Sequence, residues 1–380
     1  MLTNDDNGCI VINVVSTQTN RVLTQVRKIT CKTKGHEVSM ELSERKQKIL
    51  AAVVEQYIET GEPVGSKVLL QLLDISVSSA TIRNEMSELS LMGLLDQPHT
   101  SAGRVPTQLG YRYYVDNLMK QRELSDETKR LMDAGVKNSG GDPEKLLANA
   151  GEILAYLTNC AAVMTTPAGE SARIKRVEMV PISTRTVMIV LLTSNGILRN
   201  KLCRMDTEMT PSMCERFYSI ADAAFIGVPL RNITTAYLQS LAARMGMDTL
   251  TMFPLLSCVA DLAESAVQSQ VIFEGRSNLL HHREYEGNLY ELLEFLSRED
   301  PIEQLIDQSK DDLEIRIGKE NFFPQLRNSS IILARYSIGD DGGGSIGVIG
   351  PTRLDYSRLV PSLKYISELI GNTMTKALED

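Results

Sequence analysis

The sequence contains no tryptophan, and aromatic residues make up only 5% of its 380 residues. A buried core must therefore rest mainly on leucine, isoleucine, valine and methionine, which a hydrophobic content of 43% can supply. A chain of this length is long enough for two or three domains of roughly 100–200 residues each. The composition thus predicts a folded, multidomain protein and argues against wholesale disorder.

Long apolar runs and the features of an export signal are also missing. No run approaches the roughly 18 apolar residues that a membrane-spanning helix needs. Asp5 and Asp6 put negative charge where a signal peptide carries positive charge. The six cysteines are scattered without a CxxC pair, which disfavours a disulfide framework and a cysteine-based zinc site. We expect a cytoplasmic protein with reduced thiols and no membrane partner.

Motifs for catalysis and cofactor binding are absent from the sequence. It contains no GxxxxGK[ST], GxSxG or HExxH motif, and no GxGxxG in a suitable context. The glycine-rich run 340–345 lacks the lysine and the helix that follow in a phosphate loop, so it predicts a hairpin turn. His281 and His282 are adjacent and have no further ligands nearby in the sequence, which disfavours a metal site. We therefore expect no enzyme activity, no catalytic residues, no metal and no cofactor.

The chain also lacks a positive charge balance, since its formal net charge is −8. Phosphates are neutralised by clustered lysine and arginine, so this balance argues against nonspecific binding to nucleic acid. Acidic residues slightly outnumber basic residues within 43–120 as well. A DNA-binding unit in this chain must therefore depend on local geometry, and it needs two linked copies for useful affinity.

The first 39 residues differ from the remainder of the sequence. They are rich in threonine, asparagine and glutamine and show no helical stripe. Two runs prone to β-structure, 10–15 and 21–26, could form a hairpin. Met40 stands directly before a well-formed helix start. We expect 1–39 to be a leader that is disordered or not translated, with Met40 as the first residue.

A sharp pattern of helices and strands begins after this leader. Ser43 can cap a first helix, and a shorter second helix begins at Ser66. After a tight turn, a third helix runs from Ser78 or Ser79 to about Met92. Two short strands flank the turn-rich segment that follows it. This order predicts a winged helix-turn-helix over residues 40–110.

The third helix carries the predicted base-reading face. Ile82, Met86 and Leu89 share its inward side, so polar groups occupy the other side. Arginine can bond guanine in a bidentate way and asparagine can do so with adenine, each pair giving about 1–3 kcal/mol of discrimination. The alternatives are a solvated helix face and, for the wing, an ordinary turn with one exposed arginine. The candidate DNA contacts are Ser66, Lys67, Ser78, Ser79, Thr81, Arg83, Asn84, Ser87, Thr100, Ser101, Gly103 and Arg104.

Beyond residue 110 the pattern predicts a mixed sheet interrupted by helices. A connecting helix and several strands occupy 111–206, with a hairpin at Asn195-Gly196. Three helices occupy 207–268, and strands followed by a final helix occupy 269–380. An inserted domain and a single large α+β domain both explain this order, and the pattern alone favours neither.

Three stretches of the sequence resemble a known family. They are LSERKQKILAAVVEQYIETGEPVGSK, VSSATIRNEMSELSLMGLL and HTSAGRVPTQLGYRYYVDNLM, all within 42–120. They resemble the N-terminal module of the heat-inducible transcription repressor HrcA family. The resemblance continues through FEGRSNLL and SIGVIGPTRLDYSRLVPSLKYISELIG towards the C-terminus, and only 1–39 falls outside it.

The resemblance implies an α+β multidomain protein that represses transcription. It implies a winged helix-turn-helix followed by a GAF-like α/β domain in two parts, 111–206 and 269–380, interrupted by a helical inserted dimerisation domain at 207–268. It also implies a homodimer that binds the CIRCE inverted repeat in double-stranded DNA and negatively regulates class I heat-shock operons. The GroE chaperonin would keep the repressor active until heat diverts it to unfolded proteins. Two other functions compete with this one: a metabolite-sensing winged-helix regulator, and an enzyme with an accessory helical domain.

Overall fold

A computed structural model describes residues 2–4, 10–12, 42–73, 77–99, 102–137, 139, 142–167, 169, 172–245, 249–307, 311–339 and 342–379. The chain divides into two compact units, 1–120 and 121–380. At its start, β1 (Leu2–Asn4) pairs antiparallel with β2 (Ile10–Ile12). The other strand expected in this region, 21–26, and Met40 lie outside the described residues.

Three helices form the body of the first unit: α1 (Glu44–Thr60), α2 (Ser66–Leu72) and α3 (Ser79–Leu91). Ser43 caps α1, because its hydroxyl accepts a hydrogen bond from the Lys46 N–H. Gly61 ends α1 in a left-handed conformation, with φ of 71° and its N–H bonded to the Tyr57 carbonyl. Ser78 caps α3 through the Thr81 N–H at 3.1 Å. The helices predicted from capping and periodicity are confirmed.

A short wing follows α3. Its strands are β3 (Leu95–Asp96) and β4 (Val105–Pro106), paired antiparallel. A third segment joins them, since Val64 and Arg104 exchange two backbone hydrogen bonds of 2.9 Å each. The chain then continues as α4 (Gln108–Tyr113) and a π-helical turn over Tyr114–Leu118. The first unit is therefore the expected winged helix-turn-helix.

The second unit is built from strands and helices that alternate irregularly along the chain. In chain order they are α5 (Asp126–Lys137), α6 (Pro143–Thr158), β5 (Ala161–Thr165), β6 (Ile174–Pro181), β7 (Thr186–Thr193), β8 (Leu198–Arg204), α7 (Pro211–Ala224), α8 (Thr235–Met245), α9 (Thr249–Val267), β9 (Val271–Glu274), α10 (Leu289–Leu296), α11 (Glu299–Asp307), β10 (Leu313–Ile317), β11 (Ser329–Ser337), β12 (Gly343–Pro351) and α12 (Tyr356–Glu379). Among the described residues, no helix combines the length and the apolar character that crossing a bilayer requires.

A five-stranded antiparallel sheet is the centre of this unit, in the order β10-β11-β12-β5-β9. Buried side chains of α10 and α11, such as Leu292 and Leu305, share a core with Ile331 and Leu333 of β11. α12 packs against β11 and also contacts α5 and α6. β5 from the start of the unit and β9 to β12 from its second half therefore meet in one sheet.

A separate three-stranded antiparallel sheet, β6-β7-β8, lies between β5 and β9 in the chain. Val187 and Ile189 of β7 share a core with Phe217 of α7 and with Leu255 and Val259 of α9. The expected hairpin at Asn195-Gly196 is present, and Gly196 adopts a φ of 83°. A domain boundary at residue 207 would cut between this sheet and the helices that cover it, because the shared core spans 172–267.

A proline inside α12 leaves one backbone carbonyl of this helix without its usual helical hydrogen bond. Pro361 has no N–H, so the carbonyl of Ser357, four residues earlier, has no helical donor at that position. The N–H of Arg122 donates to it at 3.0 Å. The Arg122 guanidinium also lies 3.8 Å from the Asp355 carboxylate. The first residues of the second unit are thereby attached to the start of its last helix.

The close approach of α12 to β11 predicts a stability difference between two glycine variants. A Cβ at Gly371 would lie 2.5 Å from the Ser337 carbonyl oxygen, whereas a Cβ at Gly287 would meet no atom within 4 Å. Helix propensity alone favours alanine over glycine at position 371 by about 1 kcal/mol. We nevertheless expect Gly371→Ala to lower the free energy of unfolding by about 1–3 kcal/mol, because rigid backbone must move.

Urea denaturation of the full chain, with hydrogen exchange of β11 as a local probe, measures this effect. Gly287→Ala is the control and should leave both measurements close to the parent values. A Gly371→Ala variant as stable as the parent would show that α12 can shift away from β11 without cost.

Candidate DNA interface

The orientation of α3 about its axis decides which side chains it presents. Its inward side consists of Ile82, Glu85, Met86 and Leu89, all buried. Its opposite side, here called the outward face, consists of Ala80, Arg83, Asn84, Ser87 and Leu91, of which all but the half-buried Ser87 are exposed. The predicted division of α3 into an apolar side and a mainly polar side is therefore present, with the addition of a buried acid.

Arg83 and Asn84 stand side by side on the outward face. Within the described part of the chain, neither side chain has a hydrogen-bond or ion-pair partner. Ser87 differs, because its hydroxyl donates to the Arg83 carbonyl of the same helix at 3.0 Å. The structure thus brings these three candidate residues together and leaves a guanidinium and a carboxamide available to a ligand.

The other candidate hydroxyls in the helices bond within the protein. The Ser78 hydroxyl bonds the Thr81 hydroxyl at 3.0 Å, in addition to capping α3. Ser66 is buried, and its hydroxyl lies 3.0 Å from that of Ser79, so this pair joins α2 to α3. Lys67, the next residue of α2, is exposed. These serines consequently position the two helices of the motif.

Two of the candidate residues of the wing, Gly103 and Arg104, also have contacts within the unit. Thr100 and Ser101 lie outside the described residues. A Cβ at Gly103 would lie 2.4 Å from the carbonyl of Val64, so the protein's own backbone requires glycine there. The Arg104 side chain donates from Nε to the Ser90 hydroxyl at 2.9 Å. Gly103 and Arg104 therefore attach the wing to the preceding helices.

A buried carboxylate links α3 to α1. Glu85 is only 6% exposed; its Oε1 accepts from Arg45 Nε at 2.8 Å, and its Oε2 lies 3.0 Å from Lys46 Nζ. Lys46 also pairs with Glu88 at 2.8 Å. Burial tends to raise the pKa of the Glu85 carboxyl, but the hydrogen bonds and charges of Lys46 and Arg45 outweigh burial and lower that pKa below its usual value. The acids of α3 thus face α1.

Two residues of the outward face were not among the sequence-based candidates. Ala80 is exposed and lies one turn before Arg83 and Asn84, and Leu91 is 68% exposed near the end of the helix. Helical spacing from Arg83 would have indicated Ala80. A small apolar side chain suits contact with a thymine methyl group.

The histidine pair outside this unit contributes to local structure. His282 Nε2 lies 2.7 Å from the Asn159 carbonyl oxygen and 3.9 Å from the Cys160 sulfur. No group of three or more potential metal ligands was found among the described residues. Part of the glycine-rich run, 340–341, lies outside the described residues.

Family models match both units of the chain. A winged helix-turn-helix transcription repressor model, the HrcA DNA-binding domain, matches residues 41–119. A model of the HrcA protein C-terminal domain matches residues 144–360. The first match includes every candidate DNA contact, and the second spans more than half of the chain.

Curated relatives and a solved structure are similar over most of the chain. The heat-inducible transcription repressor HrcA of Desulforamulus reducens is 32% identical over 344 residues, covering 90% of this chain and 99% of the relative. That of Clostridium tetani is 35% identical over 330 residues, covering 86% and 94%. A crystal structure of a protein described as hypothetical has a TM-score of 0.65 and 26% identity, covering 89% of this chain and 100% of the other. The two curated relatives are named as transcription repressors, and the chain belongs to the HrcA family of heat-inducible transcription repressors, which are DNA-binding regulators and not enzymes.

Proposed function

We propose that the chain represses class I heat-shock chaperone operons by placing α3 in the major groove of an inverted-repeat operator of the CIRCE type. The outward face of α3 is the observation that carries this proposal. A major groove is wide enough to admit a helix, and the exposed Arg83 and Asn84 are suited to bidentate bonds with guanine and adenine. Lys67 of α2 is exposed, which supports an added phosphate contact from that helix.

The charge distribution of the first unit makes this geometry compatible with a net charge of −8. Glu85 and Glu88 would repel phosphates if they shared a side with Arg83, but they pair with cations of α1. The same pairing occupies Arg45 and Lys46, so fewer cations remain for phosphates. A single unit should therefore bind weakly, and binding to two half-sites by a dimer supplies the missing affinity.

The three-stranded sheet offers a surface for a second copy of the chain. Its inward side is covered by α7 and α9, whereas Val180, Met188 and Leu202 form a cross-strand row on the other side. Leu202 is 63% exposed and Leu198 is 54% exposed. An apolar patch of this kind marks an interaction site, and a two-fold axis lets one patch cover its own copy.

We infer a homodimer formed through this sheet face, since an inverted repeat presents two identical half-sites. The dimerisation element is then the whole of 172–267, including β6, β7 and β8, and not the helices of 207–268 alone. The five-stranded antiparallel sheet with its flanking helices supports a GAF-like domain for the remainder of the second unit.

Relief of repression on heating follows from the same surface. We propose that the GroE chaperonin maintains the active dimer in the cytoplasm and that heat diverts the chaperonin to other unfolded proteins. A separated or partly unfolded subunit would expose Leu198 and Leu202, the kind of apolar surface on which a chaperonin acts. A shift of about 1–2 kcal/mol in stability changes the active fraction several-fold, so modest heating suffices.

Two substitutions test base reading by α3. We expect Arg83→Ala and Asn84→Ala each to weaken operator binding by about 5- to 150-fold, because a bidentate base contact contributes about 1–3 kcal/mol. Gel-shift titrations against an inverted-repeat operator and a scrambled duplex measure the loss. Asn117→Ala is the control, since Asn117 is exposed and its side chain bonds the Tyr113 carbonyl. If both α3 variants bind the operator as tightly as the parent, α3 does not read bases.

A charge placed on the sheet face tests the dimer. We expect Leu202→Asp to yield monomers in sedimentation analysis and to weaken operator binding by about 100-fold or more, because the second contact ceases to be intramolecular. Leu280→Asp is the matched control, since Leu280 is 55% exposed in the same unit but outside this sheet. A Leu202→Asp variant that remains a dimer would rule out this face as the interface.

A further inference from the structure

The structure assigns Arg104 the role of a positioning residue, which fixes the wing against the end of α3 and so sets the operator specificity of α3 without contacting a phosphate itself. This inference rests on the proposed function, and it concerns how the base-reading face is held. An arginine in a wing is ordinarily expected to reach towards DNA. Here its side chain is only partly exposed and is directed to a serine of the recognition helix.

The wing needs such an attachment because its own strands are very short. β3 and β4 contain two residues each and pair only as Leu95 with Pro106 and Asp96 with Val105. An isolated hairpin of this size is not stable in water. Further contacts must therefore hold it in place beside α3.

Arg104 supplies three of these contacts. Its N–H donates to the Val64 carbonyl and its carbonyl accepts from the Val64 N–H, which ties the wing to the segment before α2. Its side-chain Nε donates to the Ser90 hydroxyl in the last turn of α3. One residue thus connects the wing, the approach to α2 and the recognition helix.

The serine that accepts this bond is itself held in one orientation. The Ser90 hydroxyl donates to the Met86 carbonyl at 3.0 Å, so its lone pairs are available to Arg104. Gly103 lets the backbone approach, since a Cβ there would meet the Val64 carbonyl carbon and oxygen at 2.4 Å. Arg104 Nε therefore donates to the Ser90 hydroxyl, which in turn donates to the Met86 carbonyl of α3.

The position of the wing relative to α3 controls how well both can engage one operator. Ser90 lies one turn beyond Ser87 and two turns beyond Arg83 on the same helix. If the wing moves relative to α3, the side chains of α3 still reach the bases but meet them in poor geometry. The difference in affinity between the operator and other sequences then becomes smaller. Loss of the Arg104–Ser90 bond should consequently affect specificity more than nonspecific affinity.

Two conservative substitutions of Arg104 separate positioning from charge. The Nε2 of glutamine occupies the same place along the side chain as the Nε of arginine, so Arg104→Gln keeps the donor and removes the charge. Lysine keeps the charge but carries its nitrogen one atom farther out, so Arg104→Lys displaces the donor. A positioning role predicts that glutamine preserves function better than lysine, whereas a phosphate contact predicts the reverse.

The experiment measures binding of the full-length variants Arg104→Ala, Arg104→Gln, Arg104→Lys and Ser90→Ala to an inverted-repeat operator and a scrambled duplex over a series of salt concentrations. We expect Arg104→Ala and Ser90→Ala to lower the operator-to-scrambled affinity ratio by a similar factor of about 5–10, as for one lost hydrogen bond. The double variant should be no worse than either single variant. The salt dependence should stay at the parent slope, and Arg104→Gln should restore most of the ratio.

A phosphate contact gives the opposite result. The slope of log affinity against log salt would then fall by about 1 for Arg104→Ala and Arg104→Gln, while Ser90→Ala would match the parent. That outcome overturns the positioning role. Arg112→Ala is the matched control, because it removes the same charge from the same unit. Arg112 pairs with Asp116 in the π-helical turn that follows α4, and its loss should leave the affinity ratio unchanged.

Hydrogen exchange in the wing of the DNA-free protein distinguishes failure of this inference from failure of the proposed function. Faster exchange of residues 94–106 in Arg104→Ala and Ser90→Ala, but not in Arg104→Gln or Arg112→Ala, supports the attachment even if no operator is bound. Parent-like exchange in Arg104→Ala and Ser90→Ala contradicts it, whatever the DNA-binding result.

Discussion

The ion cluster beneath α3 is the interaction on which the DNA-binding unit depends. A buried carboxylate without a partner costs several kcal/mol, so Glu85 can remain inside only while Lys46 and Arg45 of α1 reach it. This requirement sets the rotation of α3 relative to α1. The same rotation turns Glu85 away from Arg83 and Asn84, while the exposed Glu88 pairs with Lys46 of α1. The cluster therefore acts together with the apolar side of α3 in fixing how the helices pack, and it neutralises the acids of α3 with cations of α1.

Side-chain hydrogen bonds join α2 and the wing to α3, in addition to the two residue pairs of the small β3-β4 sheet. The Ser66–Ser79 pair joins α2 to α3, and the Arg104–Ser90 bond joins the wing to α3. Both contacts end on α3, and they use Ser66, Ser79 and Arg104, which the sequence analysis assigned to DNA. A helix that must present side chains to base edges gains accuracy when its supports are themselves hydrogen-bonded.

Capping and periodicity were sufficient to predict the helices and the outward face of the first unit. Ser43 and Ser78 marked helix starts, and the spacing of Ile82 and Leu89 placed Arg83 and Asn84 outside. The same information could not place the hydroxyls or the acids, because a serine or glutamate at a helix surface can meet solvent, DNA or a neighbouring helix. Only the three-dimensional packing shows which partner each one has.

The second unit shows why strand patterns predicted the elements but not their arrangement. β7 is apolar on both faces, since Val187, Ile189 and Leu191 alternate with Met188 and Val190, and a strand of that kind is typical of a sheet covered on both sides. The sequence analysis predicted a mixed sheet interrupted by helices and left an inserted domain and a single domain open. In the structure the inward residues of β7 pack on α7 and α9, while Leu198 and Leu202 of the neighbouring strand are more than half exposed on the other face. The proposed dimer would cover the apolar residues on that face with a second copy of the chain, and the pattern of β7 would then record burial in that dimer as well as in the monomer.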